Sequence, residues 1–148
     1  MGTRFNDQEQ TLRARLVGHL PHMKKRILVA DDDPGIRDIF RIIFEGAGYE
    51  IELIEDGRDL LKKSFTSPDL FLIDKQLSGI DGLDICRYLK LQPSTKHIPI
   101  IIISASPDIG IAARNAGADD YIEKPFELNH LLKFVERHLS QSKVLHKG

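Results

Sequence analysis

The chain has 148 residues, 41% of them hydrophobic, with a formal net charge of −1 at pH 7, which suits one ordinary globular domain and excludes an overall basic field that would attract nucleic acid or anionic lipid. Its single cysteine, Cys86, excludes an intrachain disulfide and fits a reducing, cytoplasmic compartment. No apolar run approaches membrane-spanning length, and no secretory signal is visible.

The two ends of the chain differ in character from its middle. Residues 1–22 are polar and charged, and we predict a flexible extension or a remnant that precedes the domain. Leucines spaced by four between residues 12 and 20 leave a short amphipathic helix as an alternative. The domain itself is predicted over residues 23–140, and residues 141–148 are predicted to be a flexible tail.

Between these ends, strand and helix patterns alternate. Continuous apolar runs, typical of strands covered on both faces, predict strands at 27–30, 70–73 and 100–103. A second strand is predicted at 49–54, with Ile51 and Leu53 on one face, and a short fifth strand at 120–123. Apolar residues spaced by three and four predict helices at 34–46, 58–64, 83–89, 109–116 and 128–139, of which 109–116 is the weakest. This alternation predicts an α/β fold in three layers, with a doubly wound five-stranded parallel sheet between helices.

Polar residues follow four of the predicted strands. In such sheets, ligands bind beyond the carboxyl ends of the strands. The residues there are Asp31, Asp32, Asp33, Asp74, Ser104 and Lys124. Asp33 before Pro34 predicts a helix cap, which leaves Asp31 and Asp32 without a capping role. Clustered with Asp74 these carboxylates would repel one another, and a hard divalent cation such as Mg²⁺ would remove that cost.

The same residues suggest phosphoryl chemistry. The Asp74 carboxylate could attack phosphorus, although an ordinary strand-ending aspartate that opens a turn is an equally good interpretation of this residue alone. Lys124 could pair with Asp74 and a phosphoryl oxygen, and Ser104 could donate its hydroxyl to the phosphoryl group. Each of these residues alone means little, but the complete set in this chain order favours a phosphoryl-transfer site.

Three stretches resemble the receiver domain family of bacterial two-component response regulators. They are residues 27–34, residues 69–74 with 79–82, and residues 117–126. The resemblance covers roughly residues 24–140 and implies a flavodoxin-like fold with strand order 2-1-3-4-5. It implies a phosphorylation-dependent signalling switch, either a stand-alone receiver or a receiver excised from a larger regulator. Such a switch is not a classical enzyme, although it catalyses its own phosphoryl transfer and dephosphorylation. The implied partner is a sensor histidine kinase or a histidine phosphotransfer protein.

The resemblance also implies roles for individual residues. Asp74 corresponds to the phosphoacceptor, Ser104 to the switch hydroxyl and Lys124 to the phosphate-sensing lysine. Tyr121 corresponds to the aromatic residue that changes rotamer with Ser104. Mg²⁺ is the implied cofactor, and its ligands would be Asp32, Asp74 and the backbone carbonyl of Gln76, with Asp31 acting through a water molecule. The Lys124–Pro125 peptide bond is expected to be cis, and Gln76 and Ser106 are expected to tune hydrolysis of the phosphoryl group.

Two departures from the family pattern affect these expectations. Ser78 stands where the family often has proline, which predicts a slightly looser loop after Asp74. The segment between Ser104 and Lys124 is about two residues shorter than usual and contains Gly110, which predicts a short or poorly formed fourth helix. A short fourth helix would change the surface through which the family commonly dimerises. A homodimer is therefore one of the assemblies that the sequence leaves open. No direct nucleic-acid contact is expected, because residues 140–148 cannot hold a DNA-binding motif.

Two alternatives belong to other classes of protein. The first is an aspartate-nucleophile phosphohydrolase of the haloacid dehalogenase kind, with Asp31 as the nucleophile and Asp33 as its second acid. Such an enzyme would leave Asp74 without a use, and the chain lacks room for a substrate-capping insertion. The second is a receiver-like interaction module that is never phosphorylated. It would leave the complete set of acidic, hydroxyl and lysine residues unexplained.

Overall fold

A computed structural model describes residues 6–9, 24–62 and 65–145 of the chain, with the backbone alone for 141–145. Of the predicted N-terminal extension, it describes only residues 6–9, where the Asn6 and Glu9 side chains each accept a hydrogen bond from the other's backbone N–H. The leucines considered for an amphipathic helix lie outside the described residues. None of the helices in the described ranges is long and apolar enough to cross a membrane.

Five parallel strands form the central sheet. They are β1 (Arg26–Ala30), β2 (Glu50–Ile54), β3 (Leu70–Asp74), β4 (Ile100–Ser104) and β5 (Asp120–Glu123). Their order across the sheet is β2-β1-β3-β4-β5, which confirms the expected strand order. Strands β3 and β4 are buried at every position, which is why their sequences are continuous apolar runs.

Helices cover both faces of this sheet. They are α1 (Pro34–Gly46), a 3₁₀ helix (Gly57–Lys62), α2 (Gly82–Leu91), α3 (Ile109–Asn115) and α4 (Leu128–Leu145). One core, which includes Phe71 and Ile85, lies on the side of α2 and α3. The other core, which includes Leu72, Phe40 and Leu131, lies on the side of α1 and α4. The predicted three-layer α/β fold is therefore confirmed.

The boundaries of α1 and α3 agree with the sequence patterns. The Asp33 side chain caps α1 by accepting from the N–H groups of Gly35 and Ile36, as predicted. Helix α3 has only seven residues, and its N-cap Asp108 makes no side-chain capping bond. Helix α3 is the fourth helix after β1 in chain order when the 3₁₀ helix is counted, so the expectation of a short fourth helix is confirmed.

Two elements differ from the predictions. The segment predicted as a helix over 58–64 is a 3₁₀ helix over Gly57–Lys62, and residues 63 and 64 lie outside the described residues. Helix α4 continues to Leu145, although residues 141–148 were expected to form a tail. No glycine or proline follows Leu139 until Gly148, so this stretch of the sequence holds no residue that would end the helix earlier.

Candidate functional site

The carboxyl edge of the sheet gathers the polar residues that the sequence analysis selected. Asp31 follows β1, Asp74 and Ser104 end β3 and β4, and Lys124 follows β5. Asp31, Asp74 and Ser104 are only 1%, 5% and 1% exposed, respectively. Since buried polar side chains are costly unless they are paired, their partners indicate what this edge is built to do.

Asp74 is held on both of its carboxylate oxygens. The Lys124 Nζ donates to Asp74 Oδ2 at 2.6 Å, and the backbone N–H of Gln76 donates to Oδ1 at 2.9 Å. The backbone N–H of Lys124 also donates to the carbonyl of Ser104 at 2.8 Å, which joins the ends of β4 and β5. The carboxylate therefore has a fixed orientation beside a cation that could neutralise developing negative charge.

Asp31 is the second buried acid of this edge. Its Oδ1 accepts from the backbone N–H of Asp33 at 2.9 Å, whereas its buried Oδ2 has no hydrogen-bond partner among the described residues. The pKa of Asp31 is raised to about 6, and burial is the largest cause. The hydrogen bond from the Asp33 N–H lowers this pKa, whereas the nearby Asp74 carboxylate raises it further. A bound cation would satisfy the unpaired oxygen and relieve the repulsion between the two acids.

Asp32 lies beside a hairpin that the sequence patterns did not predict. Two short antiparallel strands, Gln76–Leu77 and Ile80–Asp81, follow β3. Ser78 in their turn donates to Asp32 Oδ2 through its hydroxyl at 2.7 Å and its backbone N–H at 3.1 Å. The expectation that Ser78 merely loosens this loop misses that contact, because it considers the backbone and omits the hydroxyl.

The fit of these residues to Mg²⁺ rests on donor chemistry. In the described part of the chain, no three His, Cys, Asp or Glu side chains form a metal-binding group. The unpaired Asp31 oxygen and the all-oxygen donor set nevertheless suit a hard cation whose remaining ligands are water and phosphoryl oxygens. The chemistry of these residues is therefore compatible with Mg²⁺. The predicted ligand set, which is Asp31, Asp32, Asp74 and the Gln76 carbonyl, stays a prediction.

The structure gives the contacts of Ser104 and Tyr121, the two residues that were predicted to respond to a phosphoryl group on Asp74. The Ser104 Oγ accepts from the backbone N–H of Ser106 at 3.0 Å, and Ser104 is not hydrogen-bonded to Asp74 here. Tyr121 packs against α3 at Gly110, where a β-carbon would lie 3.0 Å from Tyr121 Cζ. Ser104 thus keeps a hydroxyl hydrogen to donate, and the rotamer role of Tyr121 stays a prediction. The Lys124–Pro125 peptide bond is cis, as expected.

Two residues that support the site were not recognised from the sequence as positioning groups. A β-carbon on Gly82 would lie 2.2 Å from the carbonyl oxygen of Asp74, so only glycine fits there. The Arg37 guanidinium donates to the backbone carbonyl of Asp31 at 2.8 Å. The stretch of residues 79–82 contributed to the resemblance and could have indicated Gly82. No sequence pattern indicates Arg37.

Comparison with known proteins identifies the family. The response regulator receiver domain model matches residues 27–136, and the chain belongs to this family. The DNA-binding response regulator MtrA of Mycolicibacterium smegmatis is 35% identical over 123 residues, which cover 81% of this chain and 53% of MtrA. The chain thus spans about half the length of this relative.

Solved structures of receiver proteins share the fold. The receiver domain of a signal transduction histidine kinase from Syntrophus aciditrophicus is 34% identical, with a TM-score of 0.73, over 79% of this chain and 91% of that one. The chemotaxis response regulator CheY4 of Vibrio cholerae is 28% identical, with a TM-score of 0.72, over 78% of this chain and 99% of that one. The chain is thus a receiver domain of the two-component systems, and the hydrolase alternative loses its support.

Proposed function

We propose that the chain is a phosphorylation-dependent switch that accepts a phosphoryl group on Asp74 from a phosphohistidine of a sensor kinase or a histidine phosphotransfer protein. The observation that carries this proposal is the buried Asp74 carboxylate, which accepts hydrogen bonds from the Lys124 Nζ at 2.6 Å and from the Gln76 N–H at 2.9 Å. Membership of the receiver family supports the same assignment. A structural aspartate would not need a lysine and a second buried acid beside it.

The proposed transfer uses the chain mainly for positioning. An Asp74 oxygen attacks the phosphorus, the bond from phosphorus to the donor imidazole nitrogen breaks, and the imidazole leaves with the bonding electron pair. Lys124 neutralises part of the charge on the transferred group. Mg²⁺ held by the predicted ligands Asp31, Asp32, Asp74 and the Gln76 carbonyl would supply further charge neutralisation on the phosphoryl oxygens.

The switch would begin at Ser104. Its hydroxyl lies at the end of β4, the strand that pairs with β3, and it would donate to a phosphoryl oxygen on Asp74. Moving Ser104 would displace Ser106 and the start of α3, and Tyr121 would follow, since it packs against Gly110 of α3. The output surface would then be α3, β5 and α4.

Loss of the phosphoryl group would depend on two residues near Asp74 and Ser104. Gln76 is exposed and its backbone holds Asp74, and Ser106 holds the Ser104 hydroxyl. Both would border the path of an attacking water, so both would tune the lifetime of the phosphorylated state. Self-catalysed dephosphorylation therefore belongs to this proposal.

The downstream partner is proposed to be another protein. MtrA is a DNA-binding response regulator, but the match covers about half of its length. The chain carries a formal net charge of −1 at pH 7, so it has no overall basic field that would attract nucleic acid. We propose on this ground that the receiver itself acts through protein contacts and does not contact nucleic acid.

Phospholabelling tests the proposed function. Wild-type protein incubated with acetyl phosphate and Mg²⁺ should gain one phosphoryl group by intact-protein mass spectrometry, and it should not gain one when EDTA replaces Mg²⁺. Asp74→Asn should abolish the gain, whereas Asp38→Asn, at an exposed carboxylate on α1, should leave it unchanged. Labelling of Asp31 in place of Asp74, or undiminished labelling of Asp74→Asn, would contradict the proposal.

A further inference from the structure

Ser78 donates two hydrogen bonds to one carboxylate oxygen of Asp32. Its hydroxyl and its backbone N–H donate to Asp32 Oδ2 at 2.7 Å and 3.1 Å. The two residues are 46 positions apart in the chain, so this contact joins the turn after the phosphoacceptor strand to the end of β1. Among the described residues, none donates to the other oxygen, Asp32 Oδ1.

The turn that carries Ser78 is anchored on both sides. Leu77 is buried in the core, pairs with Ile80 across the hairpin and lies directly before Ser78. Gly79, directly after Ser78, has a φ of +79°, and the Arg58 guanidinium lies over it. The core contacts of Leu77 and the hairpin pairing therefore fix the position of Ser78 relative to Asp32.

We infer that Ser78 is a positioning residue for divalent cation binding. It fixes Asp32 through Oδ2 and so leaves Oδ1 as the oxygen that ligates the cation. Ligating carboxylates are commonly held in this way by hydrogen bonds to their other oxygen, and loss of such support typically weakens metal binding about 10- to 100-fold. The inference rests on the proposed function, because that proposal makes Asp32 a cation ligand.

The identity of residue 78 matters because a proline could not do the same work. Proline has neither a backbone N–H nor a hydroxyl, so both bonds to Asp32 would be lost together. Alanine would keep the N–H alone, and threonine would keep both donors. A series of substitutions at this one position therefore removes the two bonds stepwise.

Calorimetric titration with Mg²⁺ alone, without any phosphodonor, tests this order. Ser78→Thr should bind Mg²⁺ within about two-fold of the wild type, Ser78→Ala should bind roughly three- to ten-fold more weakly, and Ser78→Pro roughly ten- to 100-fold more weakly. Ser94→Ala, at an exposed serine far along the chain, should match the wild type. The urea midpoint without Mg²⁺ reports any general loss of folding in the same variants.

A thermodynamic cycle separates positioning from a merely structural role. In an Asp32→Asn background, Ser78→Ala should change the Mg²⁺ affinity no further, because the carboxylate that it positions is absent. An unchanged or tighter affinity in Ser78→Ala would overturn the inference, as would an equal loss in both backgrounds or no Mg²⁺ binding by the wild type. Should Ser78→Pro fail to fold, the threonine and alanine variants with the cycle still decide.

The outcome is separable from that of the proposed function. If Asp74 is phospholabelled but the Ser78 series keeps wild-type Mg²⁺ affinity, the inference fails and the function stands. If the graded loss of affinity appears but Asp74 is never labelled, the positioning role of Ser78 stands and the function fails.

Discussion

The Lys124 ammonium lies 2.6 Å from the Asp74 carboxylate, and the backbone of the same lysine is bonded to Ser104. Asp74 is almost fully buried, whereas about a third of the Lys124 side chain, 30%, is exposed. This pair therefore brings a solvated cation to a carboxylate that the fold has removed from water.

Removing the lysine should destabilise the protein more than removing both partners. Lys124→Met leaves a buried, unpaired carboxylate, and we expect a loss of about 1–3 kcal/mol, at the lower end because water reaches the lysine. Lys124→Met with Asp74→Asn should recover most of that loss. Urea denaturation of the two single variants and the double variant measures the coupling, and strictly additive changes would contradict this account.

Asp31 predicts a pH dependence in the absence of Mg²⁺. Its pKa is raised from 3.8 to about 6 in the folded protein, chiefly by burial. The stability from its proton is therefore fully present below pH 3.8 and is lost as pH rises through about 6. Asp31→Asn should consequently stabilise the Mg²⁺-free protein at neutral pH by roughly 1–3 kcal/mol, with little gain near pH 4.

The measurement is the urea midpoint as a function of pH in EDTA, for Asp31→Asn, the wild type and the exposed control Asp38→Asn. Only Asp31→Asn should flatten the profile between about pH 4 and pH 7. A profile that runs parallel to the wild type would show that burial of Asp31 carries no such cost.

Glycine at position 82 should be indispensable for the site. Gly82→Ala would place a β-carbon 2.2 Å from the Asp74 carbonyl oxygen, a backbone atom that cannot turn aside. We expect a loss of about 2–4 kcal/mol and slower phospholabelling of Asp74. Gly46→Ala is the matched control, because nothing lies within 4 Å of its added carbon, and it should be neutral or stabilising. Equal effects of the two substitutions in urea denaturation would count against this packing argument.

Cys86 should resist alkylation in the native state. It is 0% exposed, and burial raises the pKa of its thiol to about 11, so little reactive thiolate is present near pH 8. Iodoacetamide should modify the protein in concentrated urea and leave it unmodified without urea, as mass spectrometry would show. Rapid native modification would contradict the burial of this thiol.

The same thiol predicts a weak alkaline sensitivity. Because burial raises the pKa of the folded protein's thiol above its ordinary value of 9.0, the stability from the protonated thiol is present below pH 9 and is lost as pH rises through about 11. Cys86→Ala should lose stability less steeply than the wild type over that range, whatever its stability at neutral pH. Parallel slopes in urea denaturation would refute this expectation.

Much of the fold could be predicted because burial left a clear trace in the sequence. Strands β3 and β4 are covered on both faces, so their apolar runs stand out, and parallel strands bring Asp31, Asp74, Ser104 and Lys124 to one edge. The capping of α1 by Asp33 is local, and it could be predicted from two adjacent residues. The strand order came from the resemblance to the receiver family, and the structure confirms it.

What could not be predicted depends on contacts between distant residues. The hairpin of Gln76–Leu77 with Ile80–Asp81 has two residues in each strand, too few to leave a periodic pattern. The bonds from Ser78 to Asp32 depend on where a turn lies in space, and the substitution of serine for proline suggests only a looser backbone. The end of α4 was misplaced because the apolar spacing was followed only to Leu139, and no glycine or proline marks an end of the helix before Gly148.

Lys124 is attached by its side chain to β3 and by its backbone to β4, while its chain continues directly from β5. One residue thus links the ends of three neighbouring strands. A phosphoryl group on Asp74 would compete for the same ammonium, so a change at that carboxylate would reach β4 through the Lys124 backbone and β5 through the chain itself. Lys124 would therefore both detect a phosphoryl group on Asp74 and pass the resulting shift to β4 and β5.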